Sequence, residues 1–413
     1  MRVLKFGGSS VADATCIQKV TGLVATAWVA GEVTVVASAM AGVTDLLVAA
    51  TEGGAGAPRD VVGQLRRRHH ACLEAVAPGD TLARGQLDLR LELLARKLQA
   101  LAGGVVSPAA RDAVLASGEK LLVPVLAAAL RASGLPAAVV DSYHLIATDS
   151  RFGGATVNLA ATRRRVAQVL GEWPKRVIAV VPGYSGADSE GRVTTLGRGG
   201  SDTTAAVLGV AVGATRVEIW TDVDGVLSAP PNLVPEAQLL PRLSYAEAEA
   251  FARHGGKVLH FNAIAPCAEA GVAIAVRNTF RPEAPGTVVD GTRTGPHRIV
   301  GVTGCPVGGE EGDAAVLVVV GDGVARMPGL AARVFTALAQ RGIAAQPSNP
   351  WSSPAAWRVL VDPRHLGDAL RVLHWALVVG GPAVLAAGGR DLAEDLGRVE
   401  ATGVTVLGEV CHG

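Results

Sequence analysis

The strongest constraint on the fold of this chain is an alternation. Short apolar runs are each followed by a longer helical stretch. Arg2–Phe6 and Val33–Ser38 read as strands, as do Ala137–Asp141, Arg176–Val181 and Arg216–Trp220. Helices are expected around Ala14–Ala30, Asp60–Ala75, Ala109–Ala132, Val157–Leu170 and Ser201–Val212. A strand without clear polar alternation is covered on both faces, as in a parallel sheet. The pattern therefore predicts an α/β fold, a three-layer αβα sandwich. In such sheets ligands bind beyond the carboxyl ends of the strands, so the loops there are the places to look for chemistry.

The pattern changes after Arg277–Thr287. From His297 it runs strand, strand, helix, strand, helix with shorter elements, including Val316–Val320, Pro328–Gln340, Trp357–Asp362 and His365–Leu377. That order predicts a small α+β domain joined near residues 288–297. A length of 413 residues accommodates two or three domains. Lys and Arg number 38 against 37 Asp and Glu, a net charge of +1. Near neutrality argues against nucleic acid as a partner, because that needs a basic surface. The longest uncharged run, Val372–Gly389, carries His374, Pro382 and several glycines and makes a poor membrane helix. The five cysteines form no C-x-x-C pair, and the N-terminus has no apolar leader. A reducing cytoplasm is the expected location, without membrane attachment.

Four loops carry candidate chemistry. Lys5-Phe6-Gly7-Gly8-Ser9-Ser10 follows the first strand and precedes a helix. Glycine lets backbone amides approach an anion, the helix N-terminus adds positive potential, and Lys5 adds a point charge. Leu196-Gly197-Arg198-Gly199-Gly200-Ser201-Asp202 opens another helix, with Ser201 or Asp202 available as its cap and Arg198 as a fork for a carboxylate. Thr221-Asp222-Val223-Asp224-Gly225 lies just past a strand end, and Gly255-Gly256-Lys257 offers a second cation. Each alone is as readily a tight turn or a solvated surface. Arg66–His70 and Arg163–Arg165 read as solvated helix faces.

Taken together and in order, the segments resemble the aspartokinases of the amino acid kinase family. The matching stretches are Lys5–Val11, Ser38–Asp45, Gly118-Glu119, Gly183-Tyr184, Leu196–Asp202, Thr221–Val226, Lys257–His260 and Val276–Thr287. The resemblance implies ATP-dependent phosphorylation of the side-chain carboxylate of L-aspartate to 4-phospho-L-aspartate, the first step toward lysine, threonine and methionine. Lys5, Lys257 and Asp202 are then catalytic. Ser38, Thr44, Glu119, Tyr184, Arg198 and Ser201 are substrate-side, with Glu119 on the α-ammonium and Arg198 on a carboxylate. Lys5, Gly7, Gly8, Ser9, Gly200, Thr221, Asp222 and Lys257 line ATP. Mg2+ is held mainly through the nucleotide phosphates, with no protein metal ligands.

The resemblance also has gaps. The family's Tyr-Thr-x-Asp-Pro-Arg nucleotide segment stands here as Leu227-Ser228-Ala229-Pro230-Pro231-Asn232. Val319–Phe335 resembles one ACT module, of the ferredoxin-like α+β kind. The stretch 298–413 is short for the usual two, so one full module and a degenerate second are expected. That shortening argues against feedback inhibition by lysine or threonine, while an amino-acid effector site and a homodimer or higher homo-oligomer through this region fit the family. The catalytic domain is expected over residues 1–288. Two rival readings stay open: a kinase for another amino-acid carboxylate in a specialised pathway, and a catalytically weak amino-acid sensor.

Overall fold

A computed structural model describes residues 1–380 apart from 55, 102–105, 175, 257, 293–294, 296–297, 308–313 and 349–352. Lys257 and the tail expected to hold a degenerate second ACT module lie outside the described residues. In the first unit the strands are β1 (Arg2–Phe6), β2 (Val33–Ala37), β3 (Ala137–Val139), β4 (Ile178–Pro182), β5 (Ser185–Ala187), β6 (Val193–Thr195), β7 (Arg216–Thr221), β8 (Arg242–Ser244), β9 (Ala273–Asn278) and β10 (Thr287–Asp290). Its helices are α1 (Ala14–Val29), α2 (Val43–Thr51), α3 (Pro58–Val76), α4 (Thr81–Leu101), α5 (Pro108–Leu115), α6 (Ser117–Ala132), α7 (Leu159–Gly171), α8 (Gly200–Ala211), α9 (Tyr245–Arg253) and α10 (Phe261–Ala270).

Eight of these strands form one sheet in the order β3-β4-β2-β1-β7-β9-β10-β8, parallel except for the β9–β10 pair. The apolar runs are explained by burial on both faces. Leu4 and Phe6 of β1, Val33, Val35 and Ala37 of β2, and Ile178 and Val180 of β4 join one core with α1, α3, α4 and α6. The alternate residues Val3, Val36, Ala179 and Val181 join a second core with α8 and α10. This is the expected three-layer αβα sandwich. The long helix expected at Ala109–Ala132 is two, α5 and α6, that break at Ala116. By length and composition Pro108–Ala132 could cross a membrane, but its most apolar window is 89% buried inside the fold. Helix α4 is absent from the sequence reading. Its buried Ala83, Leu87, Leu91, Leu94 and Leu98 fall at helical spacing, a signal available in the sequence.

The second unit contains β11 (Gly301–Val307), β12 (Ala314–Val320), β13 (Ala345–Pro347), β14 (Ala356–Val361), α11 (Leu330–Ala339) and α12 (Leu366–His374). Its sheet is antiparallel, in the order β11-β12-β14-β13. Strand β12 again shows why an unbroken apolar run is needed. Ala315, Leu317 and Val319 face α11 and α12, while Val316, Val318 and Val320 join the core shared with Phe251 of α9. The small sheet is thus clamped between its own helices and the first unit.

One helix position is controlled by a single missing methyl group. A Cβ on Gly209 of α8 would lie 2.4 Å from Cγ2 of Val217 on β7. Alanine is intrinsically better in a helix, by about 1 kcal/mol. We nevertheless expect Gly209→Ala to destabilise the fold by ~1–3 kcal/mol through overpacking. Urea denaturation checks this, and an unchanged or higher midpoint would count against the packing described.

Candidate active site

The carboxyl ends of β1, β2, β4 and β7 lie side by side, and the loops that follow them meet the start of α8. A cleft of about 690 Å3 opens there. It is bordered by Lys5, Gly8, Ser38, Thr44, Glu119, Tyr184, Arg198, Gly200, Ser201 and Asp202. Ten sequence-predicted residues from five separate segments are brought together. Arg111 and Asp112, which the sequence reading omits, border the cleft as well.

At the base of the cleft Lys5 Nζ lies 2.7 Å from Asp202 Oδ1, both side chains nearly buried. Period-2 alternation sets this up. Lys5 shares the sheet face of Val3, and that face is covered by α8, which carries Asp202 in its first turn. Helix α8 begins at Gly199, with φ +69° and no side-chain cap. The expected cap by Ser201 or Asp202 is not made. Asp202 is turned instead to Lys5, and a Cβ on Gly199 would sit 2.3 Å from the His260 ring, so no side chain fits there. His260 itself accepts from the Asn262 amide at 3.3 Å and caps α10. The positive end of an uncapped helix beside a lysine is an anion site.

Glu119 stands in the first turn of α6, buried, with Oε2 lacking a hydrogen-bond partner among the described residues. Burial raises its pKa to about 7, against the pull of the Glu119 and Ala39 amides and of Lys5 and Lys120. A buried carboxylate oxygen facing a cleft without a partner is built to receive a cation. Arg198 stands exposed on the opposite loop. Tyr184 adopts φ +72°, and its ring packs where a Cβ on Gly200 would be 2.8 Å away.

Asp112 acts as a strut. Its carboxylate accepts from the Gly153 amide at 2.9 Å, the Thr195 amide at 2.7 Å and the Thr195 hydroxyl at 2.9 Å. It thereby fastens α5, just ahead of Glu119, to the strand that leads into Arg198. Its partners are 41 and 83 residues away in sequence, so no local pattern reveals it.

Other predicted residues lie apart from this cleft. The Gly7 amide donates to the Trp220 carbonyl at 3.0 Å, which occupies the donor expected to face phosphate. Ser9 opens a short 3-10 turn. Thr221 ends β7 and Asp222 follows it, with the Thr221 hydroxyl donating to Asp222 at 3.1 Å. Asn278 ties the loop beyond them, donating to Asp224 at 2.7 Å. That loop leads to a second, more apolar cavity of about 450 Å3. Leu227, Pro230, Pro231 and Asn232 form one wall, Phe251, Gly255 and Gly256 another, and Thr303–Pro306 of β11 a third. The run Arg66–His70 is not simply a solvated face. His69 is fully buried, donating or accepting through Nδ1 at the Leu65 carbonyl at 2.8 Å, and burial lowers its pKa to about 4.

The sequence matches the amino acid kinase family over residues 1–278 and the ACT domain over residues 317–377. The chain belongs to the amino acid kinase family. It is 34% identical over 288 residues to the lysine-sensitive aspartokinase 3 of Escherichia coli, covering 70% of this chain and 63% of that enzyme. It is 33% identical to the Thermus thermophilus aspartokinase, over 71% of this chain and 69% of that protein. A third relative is the bifunctional aspartokinase/homoserine dehydrogenase of Haemophilus influenzae, 31% identical over 83% of this chain. This amino acid kinase spans only 42% of that bifunctional protein. Among solved structures, E. coli aspartokinase III in complex with aspartate and ADP superposes with a TM-score of 0.81 at 25% identity, covering 91% of this chain and 99% of that one.

Glu119 makes the empty fold pH-sensitive. A carboxyl whose pKa is raised on folding holds its proton more tightly in the folded chain. The resulting stability is complete below the ordinary carboxyl range and is lost as pH rises through about 7. We expect wild-type stability without ligand to fall between pH 5 and pH 8 by roughly 2–3 kcal/mol relative to Glu119→Gln. Chemical denaturation at the two pH values measures it, and parallel profiles for the two proteins would refute the assignment.

Proposed function

We propose that this chain transfers the γ-phosphoryl group of ATP to the side-chain carboxylate of L-aspartate, giving ADP and 4-phospho-L-aspartate. The observation that carries the reading is the combination at one cleft: a nearly buried Lys5–Asp202 pair at 2.7 Å under an uncapped helix start, with Glu119, whose Oε2 has no partner among the described residues, and exposed Arg198 bordering the same space. Such a site suits an anion undergoing transfer next to a zwitterion with an extra carboxylate. The relatives named as aspartokinases, and the solved neighbour holding aspartate and ADP, support the same choice.

The chemistry asks little of an acid or base. The substrate carboxylate is ionised at neutral pH and attacks phosphorus directly. A carboxylate oxygen forms the new P–O bond while the bond to the β-phosphate oxygen breaks, and ADP leaves with the electron pair. The work left to the protein is alignment and charge neutralisation. Lys5 neutralises the moving phosphoryl group, Asp202 holds Lys5 in place, and the amides of Gly8 and Ser201 serve the anion, the expected Gly200 amide being taken by the Gly197 carbonyl at 3.0 Å. Glu119 binds the α-ammonium, Arg198 a carboxylate, and Ser38, Thr44 and Tyr184 shape the substrate side. Ser9, Thr221 and Asp222 lie along the nucleotide. Among the described residues no group of three His, Cys, Asp or Glu side chains gathers to hold a metal. By the same reading Mg2+ would be carried mainly on the nucleotide phosphates, where it would supply further neutralisation.

We take residues 1–288 as the catalytic domain and 298–413 as the ACT-type region, with one complete module. The exposed edge strand β13 of its sheet supports homodimerisation through that module, with an amino-acid effector site there. The acyl phosphate product would open amino-acid biosynthesis toward lysine, threonine and methionine, in the cytoplasm where aspartate and ATP meet.

Incubation with ATP, magnesium and L-aspartate in a hydroxylamine trap should yield aspartyl hydroxamate. Aspartate should be preferred over glutamate. No hydroxamate with ATP or GTP at any magnesium concentration overturns the reading. Lys5→Ala should lower kcat by at least ~100-fold, because its contact strengthens as charge moves. Glu119→Gln should raise the KM for aspartate by about tenfold or more with the KM for ATP held, since a charge-assisted contact is lost.

A further inference from the structure

The loop Leu227–Asn232, one wall of the second cavity, belongs by chain order to the first unit. Its anchorage belongs to the C-terminal unit. Ala229 and Val234 are buried in the core built by Leu317, Val334, Leu370 and Leu373. Between them and β7 sits Ser228, fully buried. Its backbone carbonyl accepts from the Val302 amide of β11 at 2.8 Å. Its hydroxyl oxygen accepts from the Gln238 amide at 2.8 Å and lies 2.8 Å from Nε2 of His374, the last residue of α12. The Leu233 carbonyl accepts from Arg371 of the same helix at 3.1 Å.

We infer that His374 is a positioning residue for the nucleotide: through Ser228 it fixes the Leu227–Asn232 loop from the C-terminal unit and so sets nucleotide affinity. The inference rests on the phosphotransfer reading above and goes beyond it. The hydrogen-bond chain is complete when Ser228 donates to His374. With Ser228 Oγ already accepting from an amide, its proton is free to go to Nε2, provided the imidazole is neutral and protonated on Nδ1. Burial favours that neutral form, against the opposing pull of Glu236. His374 also stands where α12 gives way to a π-helical turn, Trp375–Val379, a local irregularity that often marks a functional position. The tyrosine, aspartate and arginine of the resembled segment are all missing from this loop. What holds it here comes from the other unit, so any ligand that shifts α12 acts on the nucleotide first.

Binding of a fluorescent ADP analogue, read beside steady-state hydroxamate kinetics on the full chain, tests this. His374→Ala should weaken ADP and raise the KM for ATP by about tenfold, as expected for one buried hydrogen bond, with the KM for aspartate unmoved. His374→Gln, which can still bond Ser228, should recover most of the loss. Ser228→Ala should match His374→Ala, and the double variant should be no worse than either. If His374→Ala does not fold, the half-exposed Arg371→Ala should show the same ATP-selective rise by a smaller factor. Unchanged nucleotide affinity in these variants, or equal rises in both KM values, overturns the inference. A wild-type chain that binds no ADP fails the phosphotransfer reading itself, and a wild type that binds ADP as well as its variants do fails only this inference.

Discussion

The ion pair between Lys5 and Asp202 is the interaction on which the site depends. At 2.7 Å, with both side chains nearly buried, either charge alone would be stranded in a poorly solvated place. The rest of the fold fixes the two partners. Lys5 is held by β1, paired in register with β2 on one side and β7 on the other. Asp202 is held by α8, which packs on the face of the sheet that Lys5 shares. The start of α8 is set in turn by Gly199, where only glycine tolerates both the positive φ and the His260 ring. In the proposed transfer, a phosphoryl group above Lys5 would meet a lysine that is already oriented, and orientation is most of what that chemistry requires.

The second unit is part of the same mechanical object. Strand β12 buries one set of residues under its own helices and the alternate set against α9. Asp322 beside it donates its amide to Glu247 of α9 at 3.0 Å, so the two units share hydrogen bonds as well as a core. The apolar cavity at their joint draws walls from both. A displacement of the small sheet cannot leave that cavity unchanged, which gives an ACT-type module a direct physical route to the first unit.

Much of this was legible in the chain. The unbroken apolar runs at Arg2–Phe6 and Val33–Ala37 require cover on both faces, and they have it. The glycine loops after β1 and before α8 each read as readily as a tight turn, and only their order with the other segments pointed to a ligand site; the structure brings Gly8 and Gly200 to one cleft. Glu119 could be named only through family resemblance, since a glutamate in an apolar helix has no local signature. Asp112 and the Ser228–His374 contact were invisible for a geometric reason. Their partners are 83 and 146 residues distant, and only the folded sheet brings them within 3 Å. The Gly7 amide misled in the opposite sense, because sheet pairing to Trp220 claims a donor that the local motif offers to a ligand.

The central claim is that the aspartate carboxylate itself attacks phosphorus at the Lys5–Asp202 centre. L-aspartate labelled with 18O in its side-chain carboxylate tests it most directly, in a reaction with ATP, magnesium and hydroxylamine. Hydroxylamine attacks the acyl carbon, so the bridging oxygen departs with phosphate. The account predicts inorganic phosphate carrying one 18O atom for each hydroxamate formed. Phosphate without the label, released in step with ADP, would mean that water rather than aspartate takes the phosphoryl group, and would contradict it.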